Sequence, residues 1–359
     1  MTQYVIRRLI QAIPTFFGIT IISYALMLGT PGGPIKAMFF GQRIPPEEIE
    51  RRELALGVND PLPIQYLRWL VGDDWMRRDT DGDGIADTAF LIPLDVNGDG
   101  EPEPPGDRYG ILRGDFGRSF FHKRPAIDVL VERLPATLEL GFSGLIVGLV
   151  LGLPIGVLAA INQGRWFDQV SRVGAVVVNA LPNFWLALLL LLLFGSTLGW
   201  LPLGNRCRTT LDDTCPPITE RLEYLILPTV VLAAGAVATY SRYMRASMLD
   251  VVNQDFIRTA YSKGLSSRVV WLRHGLRNAM LPIATLLGPS ITFLLGGAVI
   301  TETVFSWPGV GRLAVNAVGQ RDFPVVMIVV IYAAMATILG YLLSDLMYAI
   351  LDPRIRYEK

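Results

Sequence analysis

Histidine and cysteine are scarce in this sequence, two of each in 359 residues: His122, His274, Cys207 and Cys215. That is too few for a zinc site of the usual kind, which draws most of its four ligands from those residue types. No GxxxxGK[ST] phosphate loop occurs, so the chain does not itself hydrolyse ATP. GxSxG, HExxH and CxxC are absent as well, and no nucleophile–base arrangement stands out. Net charge is missing too: 32 Lys and Arg balance 32 Asp and Glu. That balance suggests neither nucleic acid nor an acidic substrate as partner. Strong charges are nearly absent from the long apolar runs. A proton-driven carrier would need them for its relay, so energy has to come from a partner.

What the chain has in abundance is apolar surface. It is 51% hydrophobic with mean hydropathy +0.41, too apolar for an ordinary soluble domain. The pattern predicts an all-α polytopic membrane protein with six transmembrane helices. They run over about 9–28, 136–161, 173–198, 224–243, 282–300 and 325–351. The first run is longer than the core of a signal peptide and lacks a closely following small-residue cleavage site, so it reads as an uncleaved helix spanning 1–29. On the second, Gly144, Gly148, Gly152 and Gly156 recur four apart, a groove for close helix packing. Glu139, near its outer end, is expected to reach water.

Six spans place both termini on one side. Arg7, Arg8, the short loops at 162–172 and 244–281 and the tail at 352–359 are basic, which assigns them to the cytoplasm. The long polar region 30–135 and the loop 199–223 then lie outside. The first of these is expected to hold short amphipathic helices, including one in DPLPIQYLRWL. Within it, an insert of about 71–111 carries two frames resembling the start of an EF-hand calcium loop. Asp79, Asp81, Asp83 and Asp87 form one around Gly84; Asp95, Asn97, Asp99 and Glu103 form the other around Gly100. Glycine at the sixth position lets alternate oxygens converge on a hard cation. Position 12, where the bidentate Glu belongs, holds Phe90 and Gly106. Weak extracytoplasmic Ca2+ binding is weighed against a solvated acidic loop. In the second outer loop, Cys207 and Cys215 can close a small disulfide ring if they face an oxidising space.

The most informative stretch is DFIRTAYSKGLSSRVVWLRHGLRNAMLP, Asp255 to Pro282. It lies between two apolar runs yet carries Arg258, Lys263, Arg268, Arg273 and Arg277 against one acid, Asp255. It predicts two short helices. The first ends at Lys263 and meets Gly264, a helix stop. Ser266 or Ser267 caps the second, whose Val269, Leu272 and Leu276 fall on one face. The plain reading is a basic cytoplasmic loop. The pattern goes further: Arg258-Thr259-Ala260, Lys263-Gly264-Leu265, Arg277-Asn278-Ala279 and Leu281-Pro282 resemble the coupling loop of ABC-transporter membrane subunits. The Arg-Thr-Ala opening resembles the dipeptide/oligopeptide branch, where the wider family has Glu-Ala-Ala. LRGDFGRSFFHKRPAIDVLVERLPATLEL resembles the same branch, as does Glu302-Thr303-Val304-Phe305-Ser306-Trp307-Pro308-Gly309 with Arg321-Asp322-Phe323-Pro324, and so does Asp352-Pro353-Arg354. Read without that resemblance, the region around Trp307 is an outer loop with an aromatic anchor at the membrane interface.

The resemblance covers nearly the whole chain outside 71–111. It implies a type I ABC importer permease fold in a bacterial inner membrane, with a core over 136–351. It implies a heterodimer with a second permease subunit, two ATPase subunits or domains that carry ATP and Mg2+, and an extracytoplasmic solute-binding protein. Asp255, Arg258, Thr259, Ala260, Lys263, Gly264, Leu265, Arg273, Arg277, Leu281 and Pro282 would couple to the ATPase. Apart from Ca2+ in the insert, no cofactor is expected in this chain. Two rival functions stay open on the sequence: a membrane-anchored calcium-binding module, and an ATP-independent channel or carrier.

Overall fold

The computed structural model of the chain describes residues 2–29, 61–72, 77–78, 88–89, 109–208 and 215–351. Helix α1 (Thr2–Leu28) contains Pro14, and α2 (Leu62–Val71) is the predicted short helix of DPLPIQYLRWL. A two-residue antiparallel ladder, β1 (Arg77–Arg78) with β2 (Thr88–Ala89), pairs Arg77 with Ala89. Apart from an isolated bridge between Arg118 and Pro125, the remaining described residues form helices, turns and loops, so the all-α reading holds outside these short pairings. Among the described residues, Ile10–Leu28, Ala126–Ile161, Leu222–Val252, Leu281–Val304 and Phe323–Ser344 are long and apolar enough to cross a membrane.

The third expected crossing is not a continuous helix. Instead of one run over 173–198 there are α5 (Trp166–Ala180) and α6 (Asn183–Leu190), the latter prolonged by π-turns over Leu191–Thr197. The two halves meet at 98°. Pro182 causes the break. It drives the residue before it out of the helical region, and Leu181 sits at φ −80°, ψ 126°. It also offers no N–H to continue the helix.

After α3 (Ala126–Val131), α4 (Leu134–Ile161) packs along α7 (Leu222–Val252) on the predicted glycine face. A methyl group on Gly144 would lie 2.9 Å from the Leu232 Cβ, and one on Gly148 2.6 Å from the Ala236 Cβ. At Gly152 it would meet the Tyr240 Cβ at 2.9 Å, and at Gly156 the Ser241 carbonyl at 2.6 Å. No residue with a side chain fits these contacts without moving α7. Helix α7 overshoots the expected 224–243 because Met244 and Met248 on its last turns are fully buried and hold it helical. The chain continues through α8 (Asp255–Ser262) and a second short helix, α9, over 267–279. Helix α10 (Leu281–Gly296) stops at Gly297, short of the expected 300, and α11 (Val299–Val304), α12 (Val310–Gly319) and α13 (Phe323–Leu351) follow.

By contacts the chain forms two compact units: Met1–Ala12 with Arg133–Leu313 and Ala333–Lys359, and Ile13–Glu132 with Ala314–Tyr332. In the second, α2 rests on α1. The Thr20 and Tyr66 hydroxyls are 2.8 Å apart, and the Tyr24 ring lies 5.0 Å from that of Trp69. Asp322 is buried and accepts the Phe120 and Phe121 N–H groups at 3.0 and 3.2 Å, together with the Ser119 hydroxyl. That gives a physical role to one member of the Arg321–Pro324 motif: it closes the turn before α3.

Candidate functional site

The stretch from Asp255 to Pro282 folds as a helix, a left-handed turn and a second helix. Helix α8 ends in a Schellman motif. The Gly264 N–H donates to the Tyr261 carbonyl at 2.9 Å, and the Leu265 N–H reaches back to Ala260 at 3.4 Å. Gly264 adopts φ 75°, a conformation that a β-carbon penalises. Nothing lies within 4 Å of where that β-carbon would sit. The glycine is therefore required by the backbone turn and not by crowding within this chain.

One of the coupling candidates, Ala260, points inward. Ile257 and Ala260 form a small cluster with Val270, and Ala260 is 5% exposed. Ala260 thus packs the two helices of the loop against each other. The outward side is continuous, every residue from Tyr261 to Val269 being exposed. It mixes apolar Tyr261, Leu265 and Val269 with Lys263 and Arg268. Asp255, Arg258, Thr259, Arg273 and Arg277 are exposed beside it. Arg258 and Asp255 lie 3.5 Å apart with side chains 76% and 96% exposed, a pair worth less than about 1 kcal/mol. The arginines stay available to an outside partner at little cost. Leu281 and Pro282 form the first turn of α10, where a proline is tolerated because that N–H has no helical partner.

Of the three apolar residues expected to share one face of the second helix, only Leu276 packs inward. Val269 and Leu272 are 38% and 49% exposed, while Val270, Gly275 and Ala279 are buried. A π-turn over Val270–Gly275 spaces the buried Val270 and Gly275 of the inner stripe five residues apart, a step that a 3.6-residue period does not follow. Through this stripe the loop docks on the membrane helices. Ala279 joins Met244, Met248, Val157 and Ile283 in one core cluster, with Trp271, Leu276 and Met280 packed around it. A displacement of the loop is therefore a displacement of the end of α7.

Three buried carboxylates have roles that the sequence does not give. Asp168, 1% exposed, accepts both Arg245 Nε at 2.5 Å and an Arg245 terminal nitrogen at 2.8 Å. Glu139 does not reach water. Its side chain is 8% exposed and is held by Arg206 at 2.7 Å and Arg221 at 2.6 Å. Glu302 is fully buried and accepts the Arg312 N–H at 2.9 Å, the Ala298 N–H at 3.2 Å and the Thr137 hydroxyl at 3.2 Å. Only the pairing of carboxylates with arginines far along the chain could have signalled the first two. Glu302 was visible as part of a pattern, without its role. Trp307 is likewise not an interface anchor. It is completely buried, and its indole N–H donates to the Ala136 carbonyl at 2.8 Å, so the whole ring can leave solvent.

Cys207 and Cys215 are joined in a disulfide. The ring closes next to Arg206 and Pro216, and the Pro216 carbonyl accepts Arg221 Nε at 2.8 Å. All eight residues of the calcium frames, Asp79, Asp81, Asp83, Asp87, Asp95, Asn97, Asp99 and Glu103, lie outside the described residues. Among the described residues no group of three His, Cys, Asp or Glu side chains is placed to hold a metal.

Long apolar helices, with a basic two-helix loop packed onto their ends and a wholly exposed outer face, define a polytopic membrane subunit. The chain belongs to the family described as the binding-protein-dependent transport system inner membrane component, whose model matches residues 152–357, with the family's N-terminal model on residues 1–88. It is 37% identical to the oligopeptide transport system permease protein AppB of Bacillus subtilis, over 99% of this chain and 100% of the relative. It is 34% identical to the dipeptide transport system permease protein DppB of Escherichia coli K12, with 100% of both chains covered. The glutathione transport system permease protein GsiC of the same strain is 32% identical, again over 100% of each. These relatives match over 99–100% of the chain.

Proposed function

We propose that this chain is a permease subunit of an ATP-driven importer for small peptides of the dipeptide or oligopeptide class. The names of its relatives, which speak of oligopeptides, dipeptides and glutathione, support that cargo class. The observation that carries the reading is the loop over 255–282. Its inner stripe is fixed to α7, and its outer face offers exposed cations and apolar side chains to a soluble partner. That partner is an ATPase, present as two subunits or domains holding ATP and Mg2+. Hydrolysis occurs there, and this chain contributes only the response. A second permease subunit completes a heterodimer, and an extracytoplasmic binding protein delivers the peptide.

In this reading Gly264 sets the turn and Arg258, Lys263, Arg273 and Arg277 complement an acidic rim on the ATPase. Thr259 and Leu265 contact it, and Ala260 holds the two helices together. ATPase closure pushes α8 and α9, α7 follows, and the path switches from outward to inward facing. The termini and the loop lie in the cytoplasm, and the disulfide and the Asp-rich insert outside, as the basic short loops indicate. The two DxDxDG-type frames take Ca2+ weakly; their spacing is the support for this. The test is co-purification from native membranes in mild detergent, for wild type and for Gly264→Val. An ATPase and a second permease that copurify with wild type, the ATPase being lost from the variant, are expected. Wild type emerging alone would overturn the proposal.

A further inference from the structure

Helix α5 has few internal anchors. Its buried residues are Asp168 and Ala175. Phe167, Ser171 and Val178 are half-buried and the rest is exposed, with Val170 at 59%, Val173 at 63%, Val176 at 59% and Val177 at 52%. Asp168 is the residue of α5 that bonds to two other elements, and Gln169 adds a longer contact to the Gly164 carbonyl at 3.4 Å. The carboxylate accepts the Gly164 N–H at 2.9 Å from the turn that ends α4. It also takes the two-point contact from Arg245 of α7, at 2.5 and 2.8 Å. Arg172, on α5 itself, stands 3.7 Å away. Arg245 sits about two helical turns before α7 gives way to the coupling loop. One turn closer to the loop, Met248 is locked into the cluster that holds α9. The last turns of α7 thus carry the loop on one side and α5 on the other.

We infer that Asp168 and Arg245 are positioning residues for transport: they make α5, the first half of the broken span, follow α7 when the coupling loop is pushed. The inference rests on the importer reading above. The physical case is directional. A planar guanidinium bonded at two points to a carboxylate resists both sliding and rotation. Ala175 supplies contact without direction. The element so driven ends at the Leu181–Pro182 break, where no helical hydrogen-bond ladder resists a change of angle.

The experiment uses the whole complex, purified with its own ATPase. Both native cysteines are in the disulfide, so spin labels on Val173→Cys in α5 and Ile146→Cys in α4 react selectively; both sites are exposed. The distance between them is read with and without Mg2+ and a non-hydrolysable ATP analogue. Helices α4 and α7 are packed as one body, so wild type should give one narrow distance in both states. Arg245→Lys keeps the charge and loses the two-point contact. It should match wild type without nucleotide and show a second distance once nucleotide is added, with ATPase co-purification unchanged. Should that variant fold poorly, Asp168→Leu with Arg245→Met removes both charges together, which buried ion pairs often tolerate, and should behave the same way. One unchanged distance in every state overturns the inference. So does a distance already altered before nucleotide, since that marks a static packing role. If no ATPase accompanies the wild-type chain, the importer reading falls, and this inference with it.

Discussion

Gly110 lies so close to Gly72 that a β-carbon on Gly110 would collide with the Gly72 backbone nitrogen. Arg113 strengthens the junction by donating to the Val71 carbonyl at 2.7 Å. The chain therefore leaves for the Asp-rich insert and returns from it at one point, on the second compact unit.

It follows that residues 73–108 can be replaced by a short glycine linker without disturbing what lies on either side. The shortened chain should reach the membrane, elute as the wild type does and retain its ATPase. Loss of the folded species would mean that the insert holds the unit together. If purified wild type binds 45Ca2+ and the shortened chain does not, the metal belongs to the two aspartate frames.

Gly264→Val should leave folding nearly untouched, because its cost is local. A left-handed conformation costs a residue with a β-carbon about 1–2 kcal/mol, and the site is open on all sides. A thermal midpoint within a few degrees of wild type, together with loss of the ATPase, is the expected pair of results. A large drop in the midpoint would instead make the glycine a folding residue.

The glycine face of α4 should behave in the opposite way. Gly152→Leu drives a side chain into the Val237 backbone, whose Cα lies 3.2 Å from the site of the new β-carbon. Overpacking of this kind costs about 1–3 kcal/mol. Reduced yield and a lower melting temperature in detergent would check it, measured against Gly174→Leu on α5, where nothing crowds the β-carbon position.

Glu302→Gln is nearly isosteric but turns a donor toward groups that are already donating. The Ala298 and Arg312 N–H groups and the Thr137 hydroxyl converge there, and Thr137 in turn accepts the Val310 N–H at 2.7 Å. One buried mismatch costs about 1–3 kcal/mol, read as lost thermal stability. A Glu302→Gln chain as stable as wild type would show that the carboxylate is dispensable to the turn.

The disulfide also reports sidedness. After reduction, a membrane-impermeant maleimide should label Cys207 and Cys215 in intact spheroplasts, and labelling only after lysis would reverse the proposed orientation. By the loop-closure relation, a ring of this size contributes about 2.5 kcal/mol, so Cys207→Ser with Cys215→Ser should melt measurably earlier.

Much of this could be read from residues alone, where local chemistry decides. The helix–glycine–helix loop needed only Gly264 and the basic residues around it, and the four-residue glycine period named the face that α4 buries. Pro182 was visible, yet it was absorbed into a continuous span, because prolines such as Pro14 and Pro228 stay inside helices here. Only Leu276 of the three apolar residues that share a face of α9 by period turns inward, because the π-turn that spaces the inner stripe leaves no compositional mark. Asp168 and Arg245 are 77 positions apart, and each sits among residues that read as an ordinary basic loop or the end of a span. Such pairings depend on which helices become neighbours, and that is fixed by packing and not by sequence period.

The interlock of α4 with α7 bears on how the protein is made. Helix α4 emerges from the ribosome well before α7, with the broken pair α5 and α6 between them. Until α7 arrives, its row of bare glycines has no partner and must face lipid or the insertion machinery. Assembly should therefore be late and all at once. A chain truncated before Leu222 should be an early target for membrane proteases, whereas one extended past Val252 should survive them.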